Sequence, residues 1–408
     1  MFNQPIKIFN GKIITPFRII PQGSVLISGG VITAVSAGNM VVADAIEIDA
    51  KGKYVSPGFI DIHIHGGGGH DFMDGNEAGF LKIAETHVKY GTTAMLPTTL
   101  TSEKEGLFET LTIYEQANKN NKKGSQFLGM HLEGPYFAMN QRGAQDPRYI
   151  RDPDPAEYEA VIAAHASSIR RWSAAPELKG AIEFGQYLRS HGILAALAHT
   201  DAIYEEVIEA FDNGYTLATH LYSGMSGVSR RNAFRFAGVI ESAFLIDEMD
   251  VEIIADGVHL PAPLLKLAYK IKGADRTALI TDSMRAAGMP PGNSILGNLK
   301  TGLPVIVEDD VAKLPDRSAF AGSVATTDRL VRNMISLADV PLIDAVRMMT
   351  STPARIVGVS DRKGILAKGK DADIVIFDEK INIETTIVGG TVMYTTDKSQ
   401  TGFRAQAG

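Results

Sequence analysis

Gly58-Phe59-Ile60-Asp61-Ile62-His63-Ile64-His65 is an apolar run that ends in two imidazoles, and it decides the fold. Pro57 precedes it and Gly66-Gly67-Gly68-Gly69 follows it, so a run of strand length is bounded by turn residues. Side chains two positions apart share one face of a strand, so His63 and His65 point to one spot. Seven further runs of this type follow, at 91–98, 126–133, 169–175, 193–199, 215–221, 251–256 and 278–282. Between them the apolar spacing predicts amphipathic helices, among them 78–90, 155–167, 178–190, 203–213 and 261–272. Strands alternating with helices over about 230 residues predict an α/β fold, a (β/α)8 barrel of TIM type. An open doubly wound sheet is the competing arrangement. It would bring a phosphate loop or a dinucleotide glycine fingerprint at the start of a helix, and neither spacing occurs; the glycines at 66–69 follow a strand without it. That glycine run is read as room for backbone close to a metal or substrate.

The two ends of the chain have a different texture. Short strands are expected at 6–9, 24–28, 31–35 and 45–48, separated by turn signals such as Asn10-Gly11 and Gly29-Gly30. The far end repeats this at 373–377 and 386–388, punctuated by Gly389-Gly390. The ends are therefore expected to pair into one small β-sandwich domain of residues 1–56 plus 358–408, beside a barrel of residues 57–357. The polar tail beyond Tyr394 is expected to be poorly ordered.

Composition narrows the chemistry. The chain has 408 residues, 45% hydrophobic and 21% charged, which is enough apolar material for a large core and excludes intrinsic disorder. With 40 Lys+Arg against 47 Asp+Glu the net charge is −7, so no nucleic-acid partner is expected. No apolar run reaches the roughly 18 residues of a membrane-spanning helix. The first residues lack the basic-then-apolar order of a signal peptide, so a cytoplasmic location is expected. Ten His and no Cys rule out disulfides, a thiol nucleophile, iron–sulfur ligation and cysteine-type zinc sites. Any metal must be held by nitrogen and oxygen donors.

Such donors close several of the runs. Glu133 ends the third, His199 the fifth, His220 the sixth and Asp282 the eighth. Taken singly, each has a structural meaning: a strand-terminal His bonds backbone, and Asp before Ser caps a helix. Together they stand at the C-terminal mouth of one barrel, where active sites of this fold assemble. Imidazoles and a carboxylate suit a divalent metal, Zn²⁺ or Fe²⁺, one or two per chain. Glu133 can bridge two ions, with His63 and His65 on one and His199 and His220 on the other. Such an ion lowers the pKa of its water toward about 7. Asp282 is then free to take a proton from water and deliver it to a leaving nitrogen. This is the layout of a metal-assisted amide hydrolase.

The stretch Pro57–Gly66 resembles the opening motif of the amidohydrolase superfamily. His131-Leu132-Glu133-Gly134-Pro135, Thr219-His220-Leu221-Tyr222, Ile254-Ala255-Asp256-Gly257-Val258-His259 and Thr281-Asp282 narrow the resemblance to the N-acetylglucosamine-6-phosphate deacetylase family, over most of the chain. The resemblance implies removal of acetate from the 2-acetamido group of a hexosamine 6-phosphate. It implies that Glu133, His199 and His220 hold the principal metal, that the retained His63 and His65 favour a second, and that Asp282 is the acid/base. His259 and Arg231 fall where the family binds sugar phosphate, and Gln145 where a His or Gln contacts substrate. Backbone near Ser223-Gly224 is expected to place the sugar, and a homodimer is expected.

Two departures concern the sugar end. Ser223 stands where the family usually has Asn, and Arg231-Asn232-Ala233-Phe234-Arg235 replaces an Arg-Glu-Pro-Gly type segment. An epimeric substrate, N-acetylgalactosamine 6-phosphate, therefore stays open. Arg230, Arg231 and Arg235 also read as a charged surface turn. A superfamily member acting on a cyclic amide would often bridge its metals with a modified Lys, and no Lys stands at an equivalent strand end. A catalytically dead scaffold is opposed by the intact donor set. His70, His87, His131, His165 and His191 are read as structural, and Trp172 as barrel packing.

Overall fold

The apolar runs become eight parallel strands in the computed structural model, which describes residues 4–396 with the side chain of Arg231 excepted. They are Phe59–Ile64, Thr92–Pro97, Gln126–Phe127 with Met130–Glu133, Ile169–Ala174, Leu194–Leu197, Tyr215–Ala218, Asp250–Ile253 and Thr277–Leu279. The first three pair in one sheet and the rest continue in a second, from Met130–Glu133 to Thr277–Leu279. A bridge from Thr98 to His131 joins the two sheets. The amide of Asp282 donates to the carbonyl of His63 at 2.9 Å, bringing the eighth strand back beside the first. Strands enclosed on both faces carry continuous apolar runs instead of alternation, and Phe59–Ile64 and Thr92–Pro97 are buried throughout. The chain is thus a TIM-like barrel with a second unit, of mixed α/β content.

Helices follow the strands: Glu77–His87, Lys104–Asn120, Pro155–His165, Ala181–Ser190, Tyr204–Asp212, Val239–Leu245, Ala262–Arg276 and Thr327–Ala338. Their starts are chemically marked. Asn76 accepts from the amide of Gly79 at 2.8 Å, and Asp154 caps a helix that opens on Pro155.

One element has no counterpart in the barrel pattern. Between the eighth strand and its helix lies a four-stranded antiparallel sheet of Gly292–Leu296, Leu303–Glu308, Val311–Lys313 and Phe320–Ser323. Its central hairpin turns on Asp309 and Asp310, both with positive φ (52° and 61°), a turn geometry Asp tolerates. A smaller hairpin, Ser229–Arg231 with Phe234–Phe236, turns on Asn232 and Ala233.

Strands from both chain ends share one sheet. Its order runs Thr391–Thr395, Ile383–Val388, Ile374–Phe377, Tyr54–Pro57, Ile6–Ile14, Ile19–Ser28 and Val31–Ala37, with Ile46–Asp49 also on Ile6–Ile14. The join is antiparallel, Ile374 opposite Pro57 and Ile376 opposite Val55. Ile8, Val25, Ile27, Val55, Ile374 and Ile387 belong to a core of its own. The Asn10-Gly11 pair is not a turn here. It is an irregularity inside the strand Ile6–Ile14, Asn10 taking φ 56°, and the chain reverses later. The tail from 397 on lies outside the described residues.

The two units are tied by charge. Lys363 is 3% exposed; its Nζ donates to Asp373, just before the terminal-sheet strand Ile374–Phe377, at 2.5 Å and to Gln126 at 2.7 Å at the foot of the third barrel strand. Removing one partner of a buried pair strands the other, so Lys363→Met should cost about 3–5 kcal/mol. Thermal or urea unfolding reads this; a variant as stable as the parent would show that Asp373 does not depend on the Lys363 ammonium.

Candidate active site

Six predicted residues converge at the C-terminal ends of the barrel strands. His63 lies within the first strand and His65 just beyond it; Glu133 closes the third. His199 and His220 stand two residues past the fifth and sixth strands, and Asp282 three past the eighth. These last three take left-handed backbone, with φ of 47°, 32° and 47°. Such angles are uncommon for residues other than glycine and cluster at sites where the surroundings enforce them. They turn each side chain back over the barrel mouth.

The result is a ring of nitrogen and oxygen donors. His199 Nε2 lies 3.3 Å and His220 Nε2 3.0 Å from Glu133 Oε1. His65 Nε2 is 3.3 Å from Glu133 Oε2 and 3.1 Å from Asp282 Oδ1. His63 Nε2 stands 3.6 Å from Glu133 Oε1, 3.4 Å from Asp282 Oδ1 and 3.2 Å from His65 Nε2. Two triads, His63-His65-Glu133 and Glu133-His199-His220, each bring donor atoms within 4.8 Å of one another. A tetrahedral ion with ligands at about 2.0–2.1 Å separates them by about 3.3 Å, so the donor spacing and the donor chemistry both fit.

The charges agree with that fit. Burial opposes protonation of His63 and His65, yet the carboxylates of Glu133 and Asp282 outweigh it and raise them to about 9 and about 10. Burial alone would raise Glu133 and Asp282, but His63 and the neighbouring imidazoles hold both below the usual carboxylate range. Two buried anions thus draw positive charge to this spot, whether protons or a cation supply it.

Further contacts orient the ring. His199 Nδ1 meets the carbonyl of Gln141 at 2.8 Å, which turns its Nε2 toward Glu133. Gln145 donates to Glu133 Oε2 at 2.8 Å while its own oxygen accepts from the amide and hydroxyl of Thr101. Its amide therefore already steadies Glu133, a duty not foreseen from sequence. His259 is held through Nδ1 by Asp256 at 2.7 Å, and the same carboxylate accepts the amides of Val258 and His259.

Above the ring lies a cavity of about 310 Å³, within the range of small-ligand sites. Its lining includes Gln145, Ser223, Gly224, His259 and Asp282. Gly224 has φ 56°, and a Cβ there would sit 2.7 Å from His199 Nδ1, so the close approach requires glycine. Arg231 lies on the small hairpin, paired through its backbone with Phe234; its side chain is outside the described residues. Tyr222, the last residue of the Thr219–Tyr222 motif, also lines the cavity, as do Phe320 and Leu296 from the inserted sheet, to which no sequence signal pointed.

The glycine run 66–69 needs correction, because it does not face the cavity. A Cβ on Gly67 would meet His87 Nε2 at 2.4 Å and one on Gly68 would meet Thr86 at 2.3 Å, so these glycines let the loop pack on the helix Glu77–His87. His87 bonds the carbonyl of Gly66 at 2.9 Å, and burial pushes it down to about 4. His131 points into the barrel, 2.7 Å from Ser173 Oγ, below the ring. Trp172 is fully buried and donates to the carbonyl of Gly134 at 2.8 Å.

The chain also resembles known proteins over most of its length. Residues 54–393 match the model of the Amidohydrolase family. The chain is 34% identical over 355 residues to the N-acetylglucosamine-6-phosphate deacetylase of Lysinibacillus sphaericus, covering 86% of this chain and 88% of that protein. It is 32% identical to the N-acetylgalactosamine-6-phosphate deacetylase of Escherichia coli, over 89% and 93%. Among solved structures, a point mutant of N-acetyl-D-glucosamine-6-phosphate deacetylase from Mycobacterium smegmatis, in complex with N-acetyl-D-glucosamine-6-phosphate, is similar with a TM-score of 0.88 at 29% identity, over 96% of this chain and 100% of that one.

Proposed function

We propose, for a chain that belongs to the amidohydrolase family, that it removes acetate from an N-acetylated hexosamine 6-phosphate, with N-acetylglucosamine 6-phosphate as the leading substrate. The observation that carries this is the pair of donor triads sharing Glu133, with Asp282 beside them. His63, His65 and Glu133 would hold one divalent ion and Glu133, His199 and His220 another, Zn²⁺ or Fe²⁺ by their donor types. When bound, such an ion supplies Lewis acidity that polarises a carbonyl oxygen and eases deprotonation of water.

The chain's own groups do the rest. Asp282 accepts the proton of the attacking water on its carboxylate and returns it to the amide nitrogen as the C–N bond breaks. Gln145 keeps Glu133 aimed at the ions. Ser223 and Gly224 place the sugar, while His259 and Arg231 take the phosphate, His259 through the ring nitrogen that Asp256 leaves free. Ser223 and the hairpin at 231–235 depart from the usual family pattern, and the similarity to an N-acetylgalactosamine-6-phosphate deacetylase favours testing that epimer as well. We further read residues 1–56 with 358–408 as a small β-sandwich domain and 57–357 as the catalytic barrel. The family resemblance supports a homodimer acting on a small sugar phosphate; the net charge of −7 speaks against a nucleic-acid partner, and a cytoplasmic location without a membrane partner completes the proposal.

Acetate release from phosphorylated and unphosphorylated N-acetylhexosamines tests the reading. A charge-assisted contact contributes about 1.5–3 kcal/mol, so loss of the phosphate, or His259→Ala, should raise KM about 10- to 100-fold. Equal rates with and without phosphate would remove His259 and Arg231 from the substrate site. No acetate release from either epimer would overturn the activity.

A further inference from the structure

The layer of the barrel just beneath the donor ring is charged. Interiors of this fold are ordinarily filled with branched aliphatic side chains. Here Arg171 on the fourth strand and Glu252 on the seventh meet across the interior, both 0% exposed. The guanidinium grips Glu252 with both terminal nitrogens, Nη2 to Oε2 at 2.9 Å and Nη1 to Oε1. It also donates to Thr219 Oγ1 at 2.7 Å and to the carbonyl of Ile62 at 3.3 Å, the residues just before His220 and His63.

A buried ion pair is seldom worth its desolvation cost as a stabilising device, and an apolar pair would serve a barrel core as well. Its position suggests another use. Glu252 Oε2 lies 3.6 Å from Nδ1 of His63, and that nitrogen is buried with no hydrogen-bond partner. His63 Nε2, on the other side of the ring, faces Glu133 and Asp282. An imidazole that offers one nitrogen lone pair to a cation carries its proton on the other, and a carboxylate commonly takes that proton's hydrogen bond.

We propose that Glu252 is a positioning residue for the His63 side of the site: it accepts the Nδ1–H of His63 and fixes the tautomer that presents Nε2 to the ion, while Arg171 holds the carboxylate in place. The inference rests on reading His63, His65 and Glu133 as a cation triad. It makes that triad, and not Glu133-His199-His220, depend on residue 252. His199 has its own support in the carbonyl of Gln141.

The test compares two full-length double variants, each without the buried Arg charge. In Arg171→Met/Glu252→Gln an amide oxygen can still accept from His63; in Arg171→Met/Glu252→Met nothing can. Removing both charges leaves no stranded ion, so both variants should fold, with melting as the control. Zn²⁺ titration against a competing chelator should find two ions in the parent protein and in the Gln variant. In the Met variant one ion should stay tight and the other weaken about 10- to 100-fold. Equal affinities for both ions in the two variants overturn the inference while leaving the two-ion reading intact. A parent protein that binds a single Zn²⁺ overturns the two-ion reading and this inference with it. Nitrogen-15 spectra of the parent's imidazoles check the point without substitution: a His63 ring protonated on Nε2 in the presence of Zn²⁺ overturns it.

Discussion

Replacing Glu133 with alanine is expected to empty both triads at once and to lower kcat/KM by about 10⁴-fold or more. Each triad has two imidazoles of its own but shares this one carboxylate, whose Oε1 lies within 3.3 Å of His199 and 3.0 Å of His220 and whose Oε2 lies 3.3 Å from His65. Without it two pairs of imidazoles remain, with Asp282 as the one carboxylate left in the ring. The nitrogen donors do not move, because His199 is oriented by Gln141 and the strand ends by their own backbone bonds. The loss should therefore show first in metal content and only then in rate. Elemental analysis should fall from the parent's value toward zero. Thermal melting should lose its response to added Zn²⁺, since a ligand that binds the folded state raises its stability by RT ln(1 + [L]/Kd) and a lost site removes that rise. An alanine variant that keeps its metal and its Zn²⁺-dependent melting shift would mean that Glu133 is not the bridge.

Much of this site was legible because two periodicities coincide. Period two in the strands puts His63 and His65 on one face, and the repeating strand–helix order puts Glu133, His199, His220 and Asp282 at one end of the barrel. What stayed hidden depends on conformation or on contacts from distant segments. The left-handed angles of His199, His220 and Asp282 leave no trace in residue type, since they are imposed by the turns that follow each strand. Asn10-Gly11 reads as a hairpin signal but is consumed inside a strand. The glycines at 66–69 have the composition of a ligand loop, yet the space they provide is taken by Thr86 and His87. Phe320 reaches the cavity from a sheet inserted between the last strand and its helix, where the barrel alternation has stopped. Arg170-Arg171 within an apolar run held a clue. Adjacent strand residues face opposite ways, so one of the two had to point into the barrel and find a partner there.

Asp282→Asn is the second large effect, and it separates chemistry from metal binding. The substitution keeps the size and shape of the side chain and removes its negative charge together with its ability to take up a proton. Asn also tolerates the left-handed backbone at this position, where φ is 47°, so the turn should survive. The backbone bonds that seat the residue, its amide to the carbonyl of His63 at 2.9 Å and its carbonyl to the amide of Ser323 at 2.8 Å, do not involve the side chain. Alanine would be the poorer test, because it strains the same angle. Neither triad counts Asp282 among its three donors, so the ions should remain and substrate should bind with nearly unchanged KM. The turnover number should drop about 10²- to 10⁴-fold, the usual contribution of a placed general acid–base group. Loss of kcat with intact metal content and KM assigns the proton transfer to Asp282. Loss of an ion in the variant would make Asp282 a ligand instead. Near-parental turnover would require another group to carry the proton, and within the ring the imidazoles and Glu133 remain to do so.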